Sequence, residues 1–162
     1  MARPEYLTTL CYLERGDSYL MMHRISKKKD INKDKWIGVG GHFEEGESPE
    51  ECIKREILEE TGYDIPLDEI EYRAVITFIS DKGDYELMSL FTAKAPEGEP
   101  IPCDEGVFEW VPKEKVPSLN IWEGDKIFFR ELDRSREFFS LKMRYDKEDK
   151  LIEAVLNGRN IL

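Results

Sequence analysis

The sequence is poor in cysteine and histidine, and it contains no long hydrophobic run. Its three cysteines, Cys11, Cys52 and Cys103, are odd in number and include no Cys-x-x-Cys pair. We therefore expect reduced thiols rather than a disulfide framework or a zinc knuckle. No apolar stretch reaches the roughly 20 residues that a transmembrane helix needs, and residues 1–5 lack the layout of a signal peptide. These absences predict a cytoplasmic protein without a membrane segment.

Positive charge is also in deficit. The 162 residues include 35 acidic and 24 basic side chains, for a formal net charge of −11. Such an acidic surface repels nucleic-acid backbones and anionic membranes, so we expect neither of them as a partner. A small phosphorylated molecule is still compatible, because metal cations can bridge its phosphates to acidic side chains. Composition leaves the oligomeric state open between monomer and dimer.

The overall composition, with 40% hydrophobic and 11% aromatic residues, is typical of a globular protein. The length suits one domain over residues 1–162. Alternating and apolar segments predict strands at Tyr6–Leu13, Tyr19–Arg24, Trp36–Val39, Tyr72–Ile79, Tyr85–Ala93 and Val107–Val111, and a C-terminal hairpin at Phe139–Tyr145 and Leu151–Val155. A loop is predicted over Ser26–Lys35 and a helix around Ile127–Leu132. Strands with two main helices indicate an α+β or α/β layered fold.

One further helix has both of its ends specified by local chemistry. Ser48 suits the N-cap position and Pro49 suits the first helical position. Glu51, three residues after Ser48, completes a capping box. Gly62 can adopt the left-handed conformation that ends a helix. The sequence therefore predicts a helix from about Pro49 to Thr61.

Three glutamates of this helix, Glu56, Glu59 and Glu60, are spaced i, i+3, i+4 and project from one face. A solvated acidic face is the simpler interpretation of most such groups, but solvated charges lie opposite the apolar stripe. Here Glu56 and Glu60 lie beside Ile53 and Ile57 instead. Like charges next to buried surface repel and desolvate one another. A divalent cation with oxygen ligands, such as Mg²⁺, would offset this cost, so we predict a metal site.

The segment around this helix matches a known pattern, the Nudix box G-x5-E-x7-R-E-U-x-E-E-x-G-U, in which U is a bulky apolar residue. Every fixed position is matched, by Gly41, Glu47, Arg55, Glu56, Glu59, Glu60 and Gly62. Ile57 and Tyr63 occupy the two U positions. The chain therefore resembles the Nudix hydrolases. This resemblance implies an α/β/α sandwich, in which helices flank a mixed β-sheet, and hydrolysis of a diphosphate linkage in a nucleotide with Mg²⁺, or Mn²⁺ as a possible substitute.

The resemblance also implies which residues hold the metal. Glu56, Glu59 and Glu60 would be ligands, with the carbonyl of Gly40 as a further one. Glu105 would be an additional ligand or the general base. A box carboxylate such as Glu59 is the alternative general base.

Two other box residues are implied to be structural supports of the catalytic site. Glu47 and Arg55 would form a salt bridge that ties the loop before the helix to the helix itself. The glycines of Gly38–Gly41 let the backbone approach metal and phosphate closely. A simple turn is the other interpretation of these glycines.

Beyond the box, the chain resembles the MutT-like branch, which hydrolyses oxidised purine nucleoside triphosphates such as 8-oxo-dGTP. The similar stretches are Lys35–Gly41, Asp104–Glu105 before Trp110 and Val111, and Trp122–Asp125. The resemblance implies that Trp122 stacks on the base and that Asp125 hydrogen-bonds its edge, in a pocket lined also by Phe78 and Met88. Core packing of the three apolar residues and helix capping by Asp125 are the alternatives.

The pattern of this branch is not matched at two positions. In mammalian members an asparagine follows the tryptophan that corresponds to Trp36, where this chain has Ile37. Those members also carry paired aspartates, where this chain has Gly124 followed by Asp125.

The implied reaction converts a nucleoside triphosphate to a nucleoside monophosphate and pyrophosphate by attack of water on the β-phosphorus. Its role would be sanitation of the nucleotide pool, which supports DNA repair. The alternatives are a Nudix hydrolase of ADP-ribose, NADH or a capped RNA end, and a non-catalytic Nudix domain that senses nucleotides.

Overall fold

The computed structural model describes residues 3–25 and 31–162. Within these ranges nine strands and two α-helices are present. The strands are β1 Tyr6–Arg15, β2 Ser18–Arg24, β3 Trp36–Ile37, β4 Ile70–Ser80, β5 Tyr85–Lys94, β6 Gly106–Pro112, β7 Phe139–Tyr145, β8 Leu151–Leu156 and β9 Arg159–Asn160. The helices are α1 Pro49–Thr61 and α2 Asp125–Arg134, and 3-10 turns cover Leu67–Glu69 and Lys113–Ser118.

The predicted elements are present, and most are longer by one or two residues at an end. The predicted strand Trp36–Val39 is an exception, because only Trp36–Ile37 is a strand and Val39 makes an isolated bridge to Cys11. Of the predicted loop Ser26–Lys35, residues 31–34 form a turn and residues 26–30 lie outside the described residues. The two-residue strand β9 and the 3-10 turns were not predicted, because such short elements have no periodic pattern to detect.

All nine strands belong to one mixed sheet, in the order β3-β2-β1-β5-β4-β7-β8-β9, with β6 paired to β2. The β1–β5 and β4–β7 pairs are parallel and the other pairs are antiparallel. Strand β1 therefore lies near the middle of the sheet, where both of its faces can be covered.

One helix covers each face of this sheet. Ile53 and Ile57 of α1 pack in a buried cluster with Phe91 of β5, whereas Phe128 of α2 packs in a separate cluster with Tyr12 of β1. Residues that alternate along β1 and β5 thus point to opposite helices, as strand geometry requires. The arrangement is the α/β/α sandwich that the family resemblance implied. No helix in the described ranges has the length and apolar character needed to cross a membrane.

A buried arginine joins the sheet to the end of α2. The Nη2 atom of Arg73 donates to the carbonyls of Leu132 (3.0 Å) and Ser135 (2.8 Å), and its Nη1 atom donates to Thr92 Oγ1 (3.1 Å). These carbonyls lie at the negative end of the helix dipole. We expect Arg73→Met to lower the free energy of unfolding by about 2–4 kcal/mol in urea titrations. Arg130→Met, at an exposed position of α2, is the control, and equal midpoints for the two variants would contradict this role.

Candidate active site

Helix α1 begins and ends where its capping chemistry predicted. Ser48 Oγ accepts from the Glu51 amide (3.1 Å), and the Glu51 carboxylate accepts from the Ser48 amide (2.9 Å). Gly62 ends the helix with a φ of 79°, in the left-handed region. These caps fix the register of the helix, and the register determines where its glutamates point.

The glycine loop before α1 lies directly against β1. The amide of Gly41 donates to the Thr9 carbonyl (3.1 Å), and the Thr9 amide donates to the Gly41 carbonyl (2.9 Å). A Cβ added at Gly40 would lie 2.0 Å from the Thr9 carbonyl oxygen, and one added at Gly41 would lie 2.6 Å from Glu56 Oε1. Gly40 therefore needs glycine, because a side chain there would push the loop away from the backbone of β1, whereas a side chain at Gly41 would displace the carboxylate of Glu56.

The predicted ion pair between Glu47 and Arg55 is present and bidentate. Arg55 Nε lies 2.7 Å from Glu47 Oε2, and Arg55 Nη2 lies 3.0 Å from Glu47 Oε1. The hydrogen bond from Arg55 is the main reason that the pKa of Glu47 falls to about 2. Arg55 Nη2 also donates to the His42 carbonyl (3.1 Å). The guanidinium thus joins the helix to both ends of the preceding loop.

Loss of this ion pair should destabilise the protein. We expect Glu47→Ala to lower the free energy of unfolding by about 1–3 kcal/mol at pH 7, and Glu45→Ala in the same exposed turn to change it little. Because the folded-state pKa of Glu47 is depressed from 4.5 to about 2, the pair stabilises the protein above pH 4.5. That contribution is lost as the pH falls through about 2. Melting curves at pH 7 and pH 2.5 test this, and a Glu47→Ala deficit that does not shrink at the lower pH would contradict it.

The three glutamates of α1 lie in different environments. Glu60 Oε2 accepts from the Gly40 amide (2.8 Å). Burial raises the pKa of Glu60 to about 8, with opposition from that amide and further increases from Glu56 and Glu105. Burial also raises the pKa of Glu56, against the opposing effect of Arg55. Glu59 is the exposed member of the three. Two of the three acids therefore stand at the border of the core, as the helical spacing predicted.

Glu105 approaches this cluster from the loop before β6. Its Oε2 atom pairs with Arg24 Nη1 at 3.0 Å. Its negative charge contributes to the raised pKa values of both Glu56 and Glu60. The fold therefore brings Glu105 next to the helix glutamates, although more than 40 residues separate them in sequence.

Glu56, Glu59, Glu60 and Glu105 form an acidic cluster whose carboxylate oxygens suit a hard divalent cation. In the structure, however, these carboxylates already form hydrogen bonds or ion pairs with other groups of the protein. In residues 3–25 and 31–162, no three His, Cys, Asp or Glu side chains are arranged to hold a metal ion. Arg55 Nη1 instead bonds Glu56 Oε1 (2.8 Å) and Glu59 Oε2 (3.1 Å), and Glu60 bonds a backbone amide. Crowded, partly buried carboxylates are the ligands that Mg²⁺ accepts. Binding would require them to exchange these partners for the cation, and a carbonyl ligand at Gly40 stays a prediction.

A cavity of about 540 Å³ joins the acidic cluster to the predicted base pocket. Its wall includes Gly40, Arg55, Glu56, Glu59 and Glu105 from the metal-site prediction, and Phe78, Met88, Trp122 and Asp125 from the base-pocket prediction. Glu47 and Glu60 are not among the described residues that line this cavity. Glu47 instead supports Arg55 from the loop, and Glu60 holds the amide of Gly40.

Trp122 belongs to the hydrophobic core and also to the cavity wall. Its ring meets Phe78 at 5.1 Å and Tyr145 at 4.7 Å, both edge to face. Its indole Nε1 donates to Asn32 Oδ1 (2.8 Å), and Lys35 Nζ lies 4.6 Å from its ring centroid. Trp122 therefore packs in the core and also lines the cavity, and its stacking on a base stays a prediction. Asn32 also lines the cavity. The pocket therefore contains an asparagine, although the position at which mammalian members have one is occupied here by Ile37.

Asp125 is a buried carboxyl at the start of α2. It is the first residue of the helix, whose N-cap is Gly124, and no side chain caps the helix. The capping interpretation of Asp125 is therefore wrong. Burial raises its pKa to about 8, with opposition from Lys35 and from the backbone amide hydrogen bond of Trp122. At neutral pH this carboxyl is mostly protonated and can donate a hydrogen bond.

The sequence reasoning missed the support that β7 gives to this turn. The Gly124 amide donates to Tyr145 Oη (2.8 Å). A Cβ at Gly124 would lie 2.0 Å from Met143 Sδ, so Met143 and Tyr145 fill the place where a second aspartate would stand. Alternation along β7 put both residues on one face, but nothing in the sequence indicated that this face meets residues 122–125.

The Tyr145 hydroxyl should therefore position the base pocket without touching the acidic cluster. We expect Tyr145→Phe, which keeps the aromatic packing, to raise KM about 3–10-fold through loss of one hydrogen bond and to leave kcat within about twofold. Tyr85→Phe, at the start of β5, is the matched control. A fall in kcat with an unchanged KM would contradict a positioning role.

Comparisons with known proteins agree with this geometry. The family model described as NUDIX domain matches residues 5–132. The oxidized purine nucleoside triphosphate hydrolase of Danio rerio is 30% identical over 159 residues, which cover 97% of each chain. The protein of the same name from Mus musculus is 32% identical over 114 residues, covering 69% of this chain and 71% of that one. The crystal structure of a MutT protein from Bacillus halodurans has a TM-score of 0.79 at 27% identity, and covers 94% of this chain and 97% of that one.

The chain belongs to the Nudix hydrolase family. It is accordingly an enzyme of the pyrophosphohydrolase type, and members of the family act on small nucleotide substrates with a divalent metal ion. The matched region ends at residue 132, so strand β7 with Tyr145 lies beyond it.

Proposed function

We propose that this chain hydrolyses an oxidised purine nucleoside triphosphate, such as 8-oxo-dGTP, to the nucleoside monophosphate and pyrophosphate, with Mg²⁺ as the metal and Mn²⁺ as a substitute. The role that follows is sanitation of the nucleotide pool in the cytoplasm, in support of DNA repair. The observation that carries this proposal is one cavity whose wall contains three acids of the cluster and two residues of the base pocket, namely Glu56, Glu59, Glu105, Trp122 and Asp125.

The two ends of the cavity have different chemistry. Acidic groups surround Gly40, where only cations could make a phosphate chain acceptable. An indole and a mostly protonated carboxyl stand at Trp122 and Asp125, where a neutral planar base can stack and exchange hydrogen bonds. A nucleoside triphosphate has a phosphate chain at one end and a base at the other. It would therefore bind with its phosphates near Gly40 and its base near Trp122 and Asp125.

We assign the metal ligands to Glu56, Glu59 and Glu60, with Gly40 and Glu105 as further candidates. Divalent ions held there supply charge neutralisation at the phosphates and a lower pKa for a water molecule. Glu105 or Glu59, both on the cavity wall, can accept the proton of the water that attacks the β-phosphorus.

Arg55 has a supporting part in this assignment. It keeps Glu56 and Glu59 oriented through its bonds to both carboxylates, and Glu47 holds the guanidinium in place. The chain's whole length would act as one Nudix domain, because strands β7–β9 join the same sheet and Tyr145 supports the pocket.

The test is a screen for pyrophosphate release with 8-oxo-dGTP, dGTP, ATP, ADP-ribose and NADH, each with Mg²⁺, with Mn²⁺ and with a chelator. We expect release of pyrophosphate from 8-oxo-dGTP with a kcat/KM at least about tenfold above that of dGTP, and no release with the chelator. Equal kcat/KM values for oxidised and normal dGTP would remove the sanitising role and leave the hydrolase.

Two other functions are outcomes of the same screen. Cleavage of ADP-ribose or NADH to two monophosphates without pyrophosphate release from triphosphates would identify a different Nudix substrate, and a decapping assay with capped RNA extends this arm. Binding of nucleotide without any turnover would identify a sensor. The intact set of box glutamates favours turnover, because a domain that has lost catalysis is expected to lose some of these residues.

A further inference from the structure

We propose that Glu86 of β5, oriented by Thr8 of β1, accepts a hydrogen bond from a sugar hydroxyl of the bound nucleotide. This inference rests on the proposed function, because it requires a nucleoside triphosphate in the cavity. Neither residue belongs to the Nudix box or to the predicted base pocket. Glu86 and Thr8 would thus contact the sugar, which lies between the groups that these two sites bind.

Glu86 is a partly buried carboxylate that faces the cavity. It alternates with Met88 along β5, so both side chains point to the face of the sheet that carries the base pocket, and both line the cavity. Thr8 Oγ1 donates to Glu86 Oε2 at 3.0 Å. In the described part of the chain no lysine or arginine nitrogen lies within ion-pair distance of this carboxylate.

The sheet register places this pair between the two ends of the substrate site. Thr8 makes a bridge to His42, two residues beyond Gly40, on the side of the glycine loop. On the other side, Glu86 is the direct partner of Phe78 on β4, and Phe78 contacts Trp122. In strand order the wall therefore runs from the glycine loop, through Thr8 and Glu86, to the base pocket. In a nucleotide, the sugar is the group between the phosphates and the base.

The chemistry of Glu86 also favours a hydroxyl as its ligand. Burial raises the pKa of this carboxyl, and the bond from Thr8 opposes that effect. Within residues 3–25 and 31–162 the other carboxylate oxygen, Oε1, accepts no hydrogen bond, so a donor on the substrate would satisfy it. A phosphate would meet like charge here, whereas a sugar hydroxyl is a neutral donor. A threonine donor and a carboxylate acceptor together fix the direction in which that hydroxyl can approach.

The experiment compares GTP, dGTP and 2′,3′-dideoxy-GTP as substrates of the full chain, with kcat and KM measured separately by pyrophosphate release. In the wild-type protein, loss of the contacted hydroxyl should lower kcat/KM about 10–100-fold, mainly through KM, as expected for a hydrogen bond to a charged group. In Glu86→Ala the same substrate change should alter kcat/KM less than about twofold, because the partner is absent. Comparison of dGTP with 2′,3′-dideoxy-GTP tests the 3′ hydroxyl, and comparison of GTP with dGTP tests the 2′ hydroxyl.

Two further variants separate a sugar contact from a structural effect. Thr8→Val keeps the strand and removes only the orienting donor, so it should weaken the dependence on the hydroxyl without abolishing it. Glu109→Ala removes an exposed glutamate of β6 and should behave as wild type. Melting temperatures of all variants show whether each one folds.

The outcomes distinguish this inference from the proposed function. Wild-type turnover of all three nucleotides with no dependence on either hydroxyl, or an equal dependence in Glu86→Ala, would overturn the sugar contact and leave the hydrolase intact. A uniform loss of kcat in Glu86→Ala for every sugar would also overturn it, because that result points to the reaction centre. Absence of pyrophosphate release by the wild-type protein from these and the oxidised triphosphates would overturn both.

Discussion

Replacing Glu60 with glutamine is expected to lower kcat by about two to three orders of magnitude and to leave the fold intact. Glutamine keeps an oxygen that can accept from the Gly40 amide, as Glu60 Oε2 does at 2.8 Å. It loses the negative charge through which a carboxylate attracts a divalent cation more strongly than a neutral amide does. The substitution therefore separates the local structural role of the side chain from its proposed role in metal binding.

The matched control for this variant is Glu50→Gln in the first turn of the same helix, where the side chain is exposed. Steady-state kinetics across a range of Mg²⁺ concentrations should show a loss that added metal only partly restores for Glu60→Gln, and no loss for the control. Isothermal titration with Mg²⁺ gives a second readout that needs no turnover. A fully active Glu60→Gln protein with unchanged magnesium binding would remove Glu60 from the metal site.

The parts of the fold and site that could be predicted depend on local chemistry. Helix α1 was placed to the residue because Ser48, Glu51 and Gly62 cap it through contacts only a few residues apart. The position of its glutamates followed from helical geometry, and strands such as β4 and β5 followed from their apolar pattern. Each of these inferences uses residues that are neighbours in sequence, and so the sequence contains the necessary information.

The contacts that complete the site could not be predicted, because they join residues far apart in the chain. Asn32 meets Trp122 across 90 positions, and Arg24 meets Glu105 across 81. Tyr145 lies 21 residues after Gly124, on a strand whose docking face no pattern specifies. Glycine is required at position 124 because Met143 of β7 occupies the space that a side chain there would fill, and this contact joins residues 19 positions apart.

Arg55 gives a physical account of how so many carboxylates coexist before a metal binds. One guanidinium contacts Glu47, Glu56 and Glu59 within 3.1 Å, so it offsets much of their mutual repulsion. Glu60 is not among its partners, and burial with neighbouring charge raises the pKa of that residue. The arrangement of Glu47, Glu56 and Glu59 is therefore stabilised by one internal cation, and a divalent metal would have to replace the contacts of Arg55 to Glu56 and Glu59.

Substrate binding should weaken as the pH rises through about 8, because Asp125 then loses its proton. Burial raises the pKa of this carboxyl from 3.8 to about 8, so below that pH it can donate a hydrogen bond to an acceptor on the base. If the protonated form binds the base, KM should rise about tenfold between pH 7 and pH 9. Asp125→Asn keeps an N–H donor at every pH and should give a nearly constant KM over this range. Asp125→Ala should raise KM about 10–100-fold even at pH 7.

The same carboxyl links pH to stability with a defined sign. The folded-state pKa lies above the ordinary value, so the folded chain binds a proton that the unfolded chain releases. The stability of the wild-type protein relative to Asp125→Asn should be greatest below about pH 4 and should fall until the pH passes about 8. Asp133→Asn, at an exposed position of α2, is the control in urea titrations and should show no such trend. A wild-type KM that is flat from pH 7 to pH 9, together with parallel stability curves for wild type and Asp125→Asn, would mean that Asp125 is ionised throughout and recognises the base only as an acceptor.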